Sequence, residues 1–300
     1  MADVYSNKDK NYRTKIAINS WTRFAVCIIM TIICLLPIYI LVVNATRSSA
    51  DIIDNGASLL PTAEIVNNLK NLHDPNAAQG AYVRTFNLWI GYRNSLIISV
   101  SSTLLTVFFS AMTAYGLVVY NFKARKFATT FILAIMMIPM QVVSTGFLQF
   151  MVTIGLTDTY VPLIIPAIAA PSTVFFMLQY MQSSFPLDIV EAARIDGCGE
   201  FRTFLQISLP IFKPAFAVQA IFAFVASWNN YYTPSMILVS GELNKKTIPM
   251  MVVAVQNNNT IADFGVKYLV VALSIIPIIV IYLVLSKFIV KGVALGAVKG

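Results

Sequence analysis

The chain has 300 residues, of which 58% are hydrophobic and only 11% charged, and its formal net charge is +8. A soluble protein of this length needs far more charge to cover its surface, so the composition excludes that class and indicates a membrane protein. The spacing of the three cysteines fits neither a disulfide framework nor a metal site, so we expect them to be buried thiols with a structural role.

Six apolar stretches are predicted to cross the bilayer as helices. They cover about residues 24–43, 95–120, 127–151, 161–181, 214–231 and 268–290. Each is close to the roughly 20 residues that a transmembrane helix needs. Asp, Glu and Arg are absent from all six, and Lys287 alone enters one of them. The predicted fold class is therefore an all-α membrane protein with six transmembrane helices.

The distribution of Lys and Arg predicts the orientation. If the N-terminus is cytoplasmic, the inner segments carry 14 of the 21 basic residues and the whole net charge of +8. Such an excess is typical of cytoplasmic loops. Both termini and the loop 182–213 are therefore expected in the cytoplasm, and the basic charge needs no nucleic-acid partner to explain it.

The loop 44–94 is expected outside the cytoplasm. Its stretch "PTAEIVNNLKNLHD" predicts a short helix capped by Thr62. Four apolar side chains would share one face of that helix: Ile65, Val66, Leu69 and Leu72. Two interpretations stand, a docking element and a helix that lies on the protein's own outer surface.

Uncharged polar side chains within the spans are candidates for a solute path. They are Gln141, Gln149 and Gln219, together with Trp228, Asn229, Asn230 and Tyr231 in "SWNNYY". Amides and aromatic faces suit neutral solutes rich in hydroxyl groups, such as sugars. The same residue types also join helices to each other and form the aromatic belt at the membrane surface, which is the competing interpretation.

No energy source is encoded in the chain. It contains no G-x-x-x-x-G-K-[ST] phosphate loop, and its spans carry no acidic residues of the kind that relay protons in ion-driven transporters. If this chain pumps a solute, another chain must supply the driving chemistry.

The loop 182–213, here called the knob, is predicted to form a helix, a turn and a second helix. Asp188 and Glu191 lie early in the first helix, where they favour its dipole, and Arg194 can pair with Glu191. Gly197 is expected to end that helix, and Pro210 to end the second. About 30 residues exceed what a plain connector needs, so this compact element with small residues on its surface predicts a docking surface for a partner.

The stretch "EAARIDGCGEFRTFLQISLPIFKP" resembles the signature of permease subunits of binding-protein-dependent ABC importers. The residues that carry the resemblance are Glu191, Ala192, Ala193, Asp196, Gly197, Ile207, Leu209 and Pro210. "YRNSLIIS", "TIPM" and the C-terminal "GVALGAVKG" are similar to maltose-type carbohydrate importers, and together these matches cover about residues 85–300. Cys198 departs from the pattern, which usually has a small residue such as alanine there.

The resemblance implies a type I importer permease fold that forms one transmembrane domain over residues 1–300, with a conserved core at about 85–290. It implies that the knob is the coupling helix, seated in a cleft of an ATPase subunit, with Glu191 and Asp196 making polar contacts there. The tail 291–300, in particular Gly296, Val298, Lys299 and Gly300, is expected to reach the ATPase dimer.

The expected function is import of a sugar into the cytoplasm through a bacterial cell membrane, either an inner membrane or a plasma membrane, which the chain crosses several times. The expected partners are a second, homologous permease subunit, two ATPase subunits that bind ATP and Mg, and an extracytoplasmic binding protein. This chain itself is expected to be no enzyme and to hold no cofactor or metal. The alternatives are a non-sugar solute, a stand-alone secondary transporter, and a membrane scaffold without a transport path.

Overall fold

The structure is a computed structural model that describes residues 2–258 and 263–297, with side chains for residues 20–77, 80–139, 142–258 and 263–287. In these residues all regular structure is helical. The α-helices, in chain order, are α1 (Ala2–Ala45), α2 (Ser49–Asn55), α3 (Ile65–His73), α4 (Ala81–Thr85), α5 (Leu88–Val119), α6 (Arg125–Met136), α7 (Met140–Thr153), α8 (Val161–Ile164), α9 (Pro171–Ser184), α10 (Asp188–Ile195), α11 (Glu200–Thr203), α12 (Leu209–Ile211), α13 (Lys213–Trp228), α14 (Tyr232–Ile237), α15 (Ile248–Asn257) and α16 (Phe264–Ala297).

The apolar segments agree with the predicted spans in part. Within the described residues, four helical segments are long and apolar enough to cross a bilayer: 20–45, 81–119, 161–184 and 264–287. A fifth results if the helical stretch 200–211 and α13, which meet at an angle of 83°, are taken as one bent span. The predicted all-helical membrane class is confirmed, whereas the count of six spans is not.

The third predicted span, 127–151, is broken in the structure. Pro139 has no N–H for the helical ladder, and its extended ψ of 130° separates α6 from α7. The 14 residues of α7 cover roughly 21 Å, which is short of the ~30 Å hydrocarbon core of a bilayer. Neither half therefore qualifies as a span by itself.

Helix α5 lies at the centre of the fold, where it packs against α9 and α13. The buried polar side chains of α5 are all uncharged, and all but the first carry a small hydroxyl group: Asn94, Ser95, Ser99, Ser102, Thr103, Thr106 and Ser110. Small hydroxyl residues let helices approach closely inside a membrane, and the Ser102 Oγ lies 2.9 Å from the Ser227 Oγ of α13. Helix α16 packs in turn against α13 and α1.

The loop 44–94 is ordered by a buried arginine. Arg47 is only 2% exposed, and its guanidinium donates to Asp51, to the Asn44 Oδ1 at 2.9 Å and to the Gly56 carbonyl at 2.6 Å. The expected short helix exists as α3, but Thr62 does not cap it. The Thr62 hydroxyl instead donates to the Thr46 carbonyl, and α3 begins after Glu64.

The predicted apolar face of α3 is only partly covered. Leu72 is fully buried, whereas Ile65, Val66 and Leu69 are exposed. Leu72 belongs to a cluster with Phe224, Trp228 and residues of α15 and α16. The Asn68 amide, which is also buried, donates to the Ala45 and Arg47 carbonyls at 2.9 Å. Helix α3 therefore lies against the protein's own surface through Leu72 and Asn68 and leaves three apolar side chains uncovered.

Candidate functional site

The knob is held against the transmembrane helices by aromatic side chains. Phe185 and Phe212, at its two ends, pack with ring centroids 4.9 Å apart. Phe204, in the middle, lies 5.3 Å from Tyr115 of α5, and Val190 of α10 joins the same buried cluster. The knob is therefore a packed extension of α5, α9 and α13, not a loose connector.

Gly197 ends α10, as predicted, and the ending is a Schellman motif. The Cys198 N–H donates to the Ala193 carbonyl at 2.9 Å, and the Gly197 N–H donates to the Arg194 carbonyl at 3.0 Å. Gly197 has a φ of +78°, a left-handed conformation that side chains other than glycine adopt at a cost. A Cβ at this position would meet no atom within 4 Å, so the glycine is required by its backbone conformation.

The predicted pairing of Glu191 with Arg194 is replaced by a longer-range pair. The Arg194 Nε donates to the Glu200 Oε1 at 2.7 Å, which closes the turn between α10 and α11. The hydroxyl of Tyr120, just beyond the end of α5, donates to the other oxygen of Glu200 at 2.7 Å. Arg194 holds the pKa of Glu200 below its ordinary value, and Tyr120 adds to that effect.

Pro210 does not end the second helix of the knob. Helices α11 and α12 are joined by a π-helical turn over Phe204–Ser208, in which the Leu209 N–H bonds to the Phe204 carbonyl. Pro210 is the second residue of α12, and the helical stretch continues to Ile211. The chain then bends at Phe212, just before α13.

The signature residues of the knob divide into exposed and covered sets. Exposed are Glu191, Ala192, Asp196, Gly197 and Pro210, half-buried are Cys198, Ile207 and Leu209, and Ala193 is buried. Ala193 therefore packs inward, and Ala192 is the alanine that another surface can approach. Two large apolar side chains beside the exposed set, Ile195 at 87% and Phe201 at 59%, face outward without cover.

A cavity of about 510 Å³ lies between α5, α7, α9, α13 and α14. Two of the predicted path residues, Gln219 and Asn230, line it. Hydroxyl side chains that sequence reasoning missed also line it, namely Ser102, Thr106, Ser172, Thr173, Ser227 and Thr233. For Ser102 and Thr106 the signal in the sequence was the run of Ser and Thr along α5, which helix packing explains equally well.

The other predicted path residues lie elsewhere. Trp228 is 2% exposed, stacks on Phe224 and donates its Nε1–H to the Ser274 carbonyl at 3.0 Å, so it joins α13 to α16. Gln149, Asn229 and Tyr231 are exposed and do not line the cavity. The side chain of Gln141 lies outside the described residues, as do Val298, Lys299 and Gly300 of the tail. Gly296 falls in the last turn of α16.

The sequence of this chain resembles those of known proteins over most of its length. Residues 106–295 match the family described as binding-protein-dependent transport system inner membrane component. The arabinooligosaccharides transport system permease protein AraQ of Halalkalibacterium halodurans is 30% identical over 94% of this chain and 97% of its own length. The trehalose/maltose transport system permease protein MalG of Thermococcus litoralis is 31% identical over 91% of this chain and 94% of its own.

A solved structure shares the fold. A chain of a bacterial ABC transporter involved in the import of the acidic polysaccharide alginate superposes with a TM-score of 0.73 at 21% identity, covering 90% of this chain and 96% of that one. The match of sequence over most of the chain and the match of fold agree. This chain therefore belongs to the inner membrane components of binding-protein-dependent transport systems, as a multi-pass permease subunit of an ABC importer and not an enzyme.

Proposed function

We propose that this permease moves a neutral sugar from an extracytoplasmic binding protein into the cytoplasm of a bacterium. The observation that carries the proposal is the cavity, whose described lining contains no charged side chain. Amide groups of Gln219 and Asn230 both donate and accept hydrogen bonds, as a ring of sugar hydroxyl groups requires. The rings of Phe147 and Phe222 offer apolar faces beside them.

The size of the cavity supports the same substrate class. A volume of about 510 Å³ lies within the ~300–1,000 Å³ of typical ligand pockets. The relatives AraQ and MalG are named for arabino-oligosaccharides and for trehalose and maltose, which are uncharged. A second permease subunit would face this cavity and complete the path.

An anionic solute is the alternative, since the alginate importer has the same fold. Desolvating a carboxylate without a cationic partner is costly, and the described lining supplies no cation. The neutral lining therefore favours an uncharged sugar over an acidic one.

The knob is the proposed seat for the ATPase subunit. Glu191 and Asp196 are exposed next to Ile195 and Phe201, so one surface offers both carboxylates and apolar contact area. Two ATPase subunits would bind ATP and Mg, close, and draw the two knobs of the permease pair together. ATP then drives the switch between inward- and outward-facing states only because it binds one of them better.

Uptake into proteoliposomes tests the substrate class. The complete transporter with its binding protein should take up maltose or an arabino-oligosaccharide, and uronic-acid oligomers of equal length should compete weakly. Uptake of the acidic oligomers alone would contradict the proposal.

Copurification tests the ATPase seat. Glu191→Lys should weaken retention of the ATPase subunits, and Glu191→Gln should weaken it less, because only the first reverses the charge. Asp54→Lys makes the same change on exposed α2 in the loop 44–94 and serves as the matched control. Equal retention of the ATPase by Glu191→Lys and Asp54→Lys would count against the knob as the seat.

A further inference from the structure

A second large cavity lies at the end of α5 nearest the knob. It has a volume of about 830 Å³ and is formed by the turn between α5 and α6 together with the end of α9. Three cationic side chains line it, Lys123, Arg125 and Lys126, along with the uncharged polar side chains of Asn121, Thr129, Thr130 and Gln182. Three positive charges therefore surround one concave surface.

These three cations have no carboxylate partner within the described part of the chain. No Asp or Glu occurs in the sequence between Asp74 and Asp158, so their own segment supplies none. Glu200 is a carboxylate near the end of α5, but its two oxygens already accept hydrogen bonds from Arg194 and Tyr120. Among the described side chains, therefore, none forms an ion pair with the three cations of the cavity.

Two exposed aromatic side chains lie on α6 immediately after cavity residues in the sequence, although neither lines the cavity itself. Phe127 and Phe131 lie one turn apart on α6 with their rings stacked at 5.9 Å. They are 71% and 53% exposed. Phe122, on the cavity wall, is also exposed. Charged groups and uncovered aromatic rings thus both follow the end of the apolar stretch Ala81–Val119, and the end of a membrane span lies at the depth of lipid phosphate groups.

We propose that this cavity binds an anionic phospholipid. Its phosphate would be held by Lys123, Arg125 and Lys126, because cations bind phosphate oxygens with short, charge-assisted hydrogen bonds. Its acyl chains would lie along Phe127 and Phe131. A soluble phosphate would use the cations but leave the two rings in water, so the combination of both features favours the lipid.

Lipid retention in native mass spectrometry tests the proposal. The assembled transporter is prepared in nanodiscs of phosphatidylcholine that contain phosphatidylglycerol, and the lipids that stay bound are counted. Each basic residue near an anionic headgroup contributes roughly fivefold, so Lys123→Gln/Arg125→Gln/Lys126→Gln should lower the affinity for phosphatidylglycerol by on the order of 100-fold. Equal retention of phosphatidylglycerol by this variant and the unchanged protein would overturn the proposal.

The matched control is Lys10→Gln/Arg13→Gln/Lys15→Gln, which removes the same charge from the N-terminal segment and should retain the lipid. Single Lys123→Gln and Lys126→Gln variants, each expected to lose roughly fivefold, keep the test valid if the triple variant fails to insert. Unchanged affinity in both single variants would contradict the proposal.

Two further measurements separate the lipid from other occupants. Phe127→Ser/Phe131→Ser should lower phosphatidylglycerol binding although all three cations remain. Glycerol 1-phosphate, the soluble headgroup fragment, should compete poorly; competition at the affinity of the lipid would assign the cavity to free anions and overturn the lipid. Loss of the ATPase subunits from the triple variant in pure phosphatidylcholine would assign the cations to ATPase docking and overturn it as well.

Discussion

The hydroxyl of Tyr120 donates to the Glu200 carboxylate at 2.7 Å and so joins the end of α5 to the second helix of the knob. The same carboxylate accepts from Arg194, whose guanidinium lies 5.8 Å from the centre of the Tyr120 ring. Helix α5 borders the cavity through Ser102 and Thr106. One helix therefore contacts both the proposed solute cavity and the proposed ATPase seat.

Removing the Tyr120 hydroxyl should loosen this connection without unfolding the knob. Tyr120→Phe deletes one hydrogen bond to a partly exposed carboxylate, so solute uptake per ATP hydrolysed should fall about two- to tenfold while the ATPase stays bound. The measurement is simultaneous uptake and hydrolysis in proteoliposomes. Tyr282→Phe, an equivalent change on the exposed side of α16, is the control, and equal coupling ratios for both variants would refute this role.

Acid should remove the contribution of Glu200 to stability. Its pKa is held below the ordinary value of 4.5, so its contacts stabilise the folded chain above that pH and are lost as pH falls through the lowered value. The melting temperature of the purified permease should exceed that of Glu200→Gln at neutral pH, and the gap should narrow below about pH 4.5. A gap that stays constant down to pH 3 would contradict the assignment.

The uptake activity of variants at Gly197 should depend on how readily each residue adopts a left-handed backbone conformation, and not on the size of its side chain. A left-handed residue other than glycine costs ~1–2 kcal/mol, and asparagine tolerates it best. Uptake should therefore decrease in the order Gly197, Asn, Ala, with Gly197→Pro abolishing it because proline cannot adopt a φ of +78° or donate to the Arg194 carbonyl.

The neighbouring glycine provides the control. Gly199 has a φ of −69° and open space around it, so Gly199→Ala should transport normally. Equal losses at positions 197 and 199 would show that the knob needs small residues and not a left-handed turn.

Substitution of a glutamine that lines the solute cavity should weaken substrate binding, whereas substitution of a glutamine outside the cavity should not. Gln219→Leu removes a buried amide from the cavity and should raise the KM for sugar uptake by roughly tenfold. Gln149→Leu, on the exposed side of α7, should leave KM unchanged. Equal KM values for the two variants would show that Gln219 does not contact the sugar.

Trp228 should behave as a structural residue. Trp228→Phe loses the hydrogen bond to the Ser274 carbonyl and should lower stability by about 1 kcal/mol, seen as a lower melting temperature, with KM unchanged. A raised KM at unchanged stability would contradict this role and would indicate that Trp228 contacts the solute.

Much of the knob could be predicted from the sequence because its determinants are local. The end of α10 depends on a single glycine, and Gly197 is where the structure places the Schellman turn. The partner of Arg194 could not be predicted in the same way. Glu191 and Glu200 are both close enough to Arg194 in sequence to pair with it. Which of them pairs depends on the turn between α10 and α11 and on Tyr120, which lies 80 residues before Glu200.

The predicted count of six spans is left unconfirmed at the third span, where local and global signals compete. Hydropathy treats 127–151 as one apolar run, but Pro139 divides it, and the sequence alone does not say whether a proline kinks a span or ends it. The predicted path residues also occupy different places in the structure. Gln219 and Trp228 lie on the same helix, and only tertiary packing directs one to the cavity and the other to α16.

ATP-driven sugar import is tested by uptake of radiolabelled maltose or arabino-oligosaccharide into proteoliposomes that hold the paired permeases and the binding protein, with and without the ATPase subunits. We expect uptake above background only when the ATPase and ATP are both present, and no uptake with Gly197→Pro in the complete complex. Uptake that persists without the ATPase would contradict ATP-driven import and would favour a stand-alone transporter.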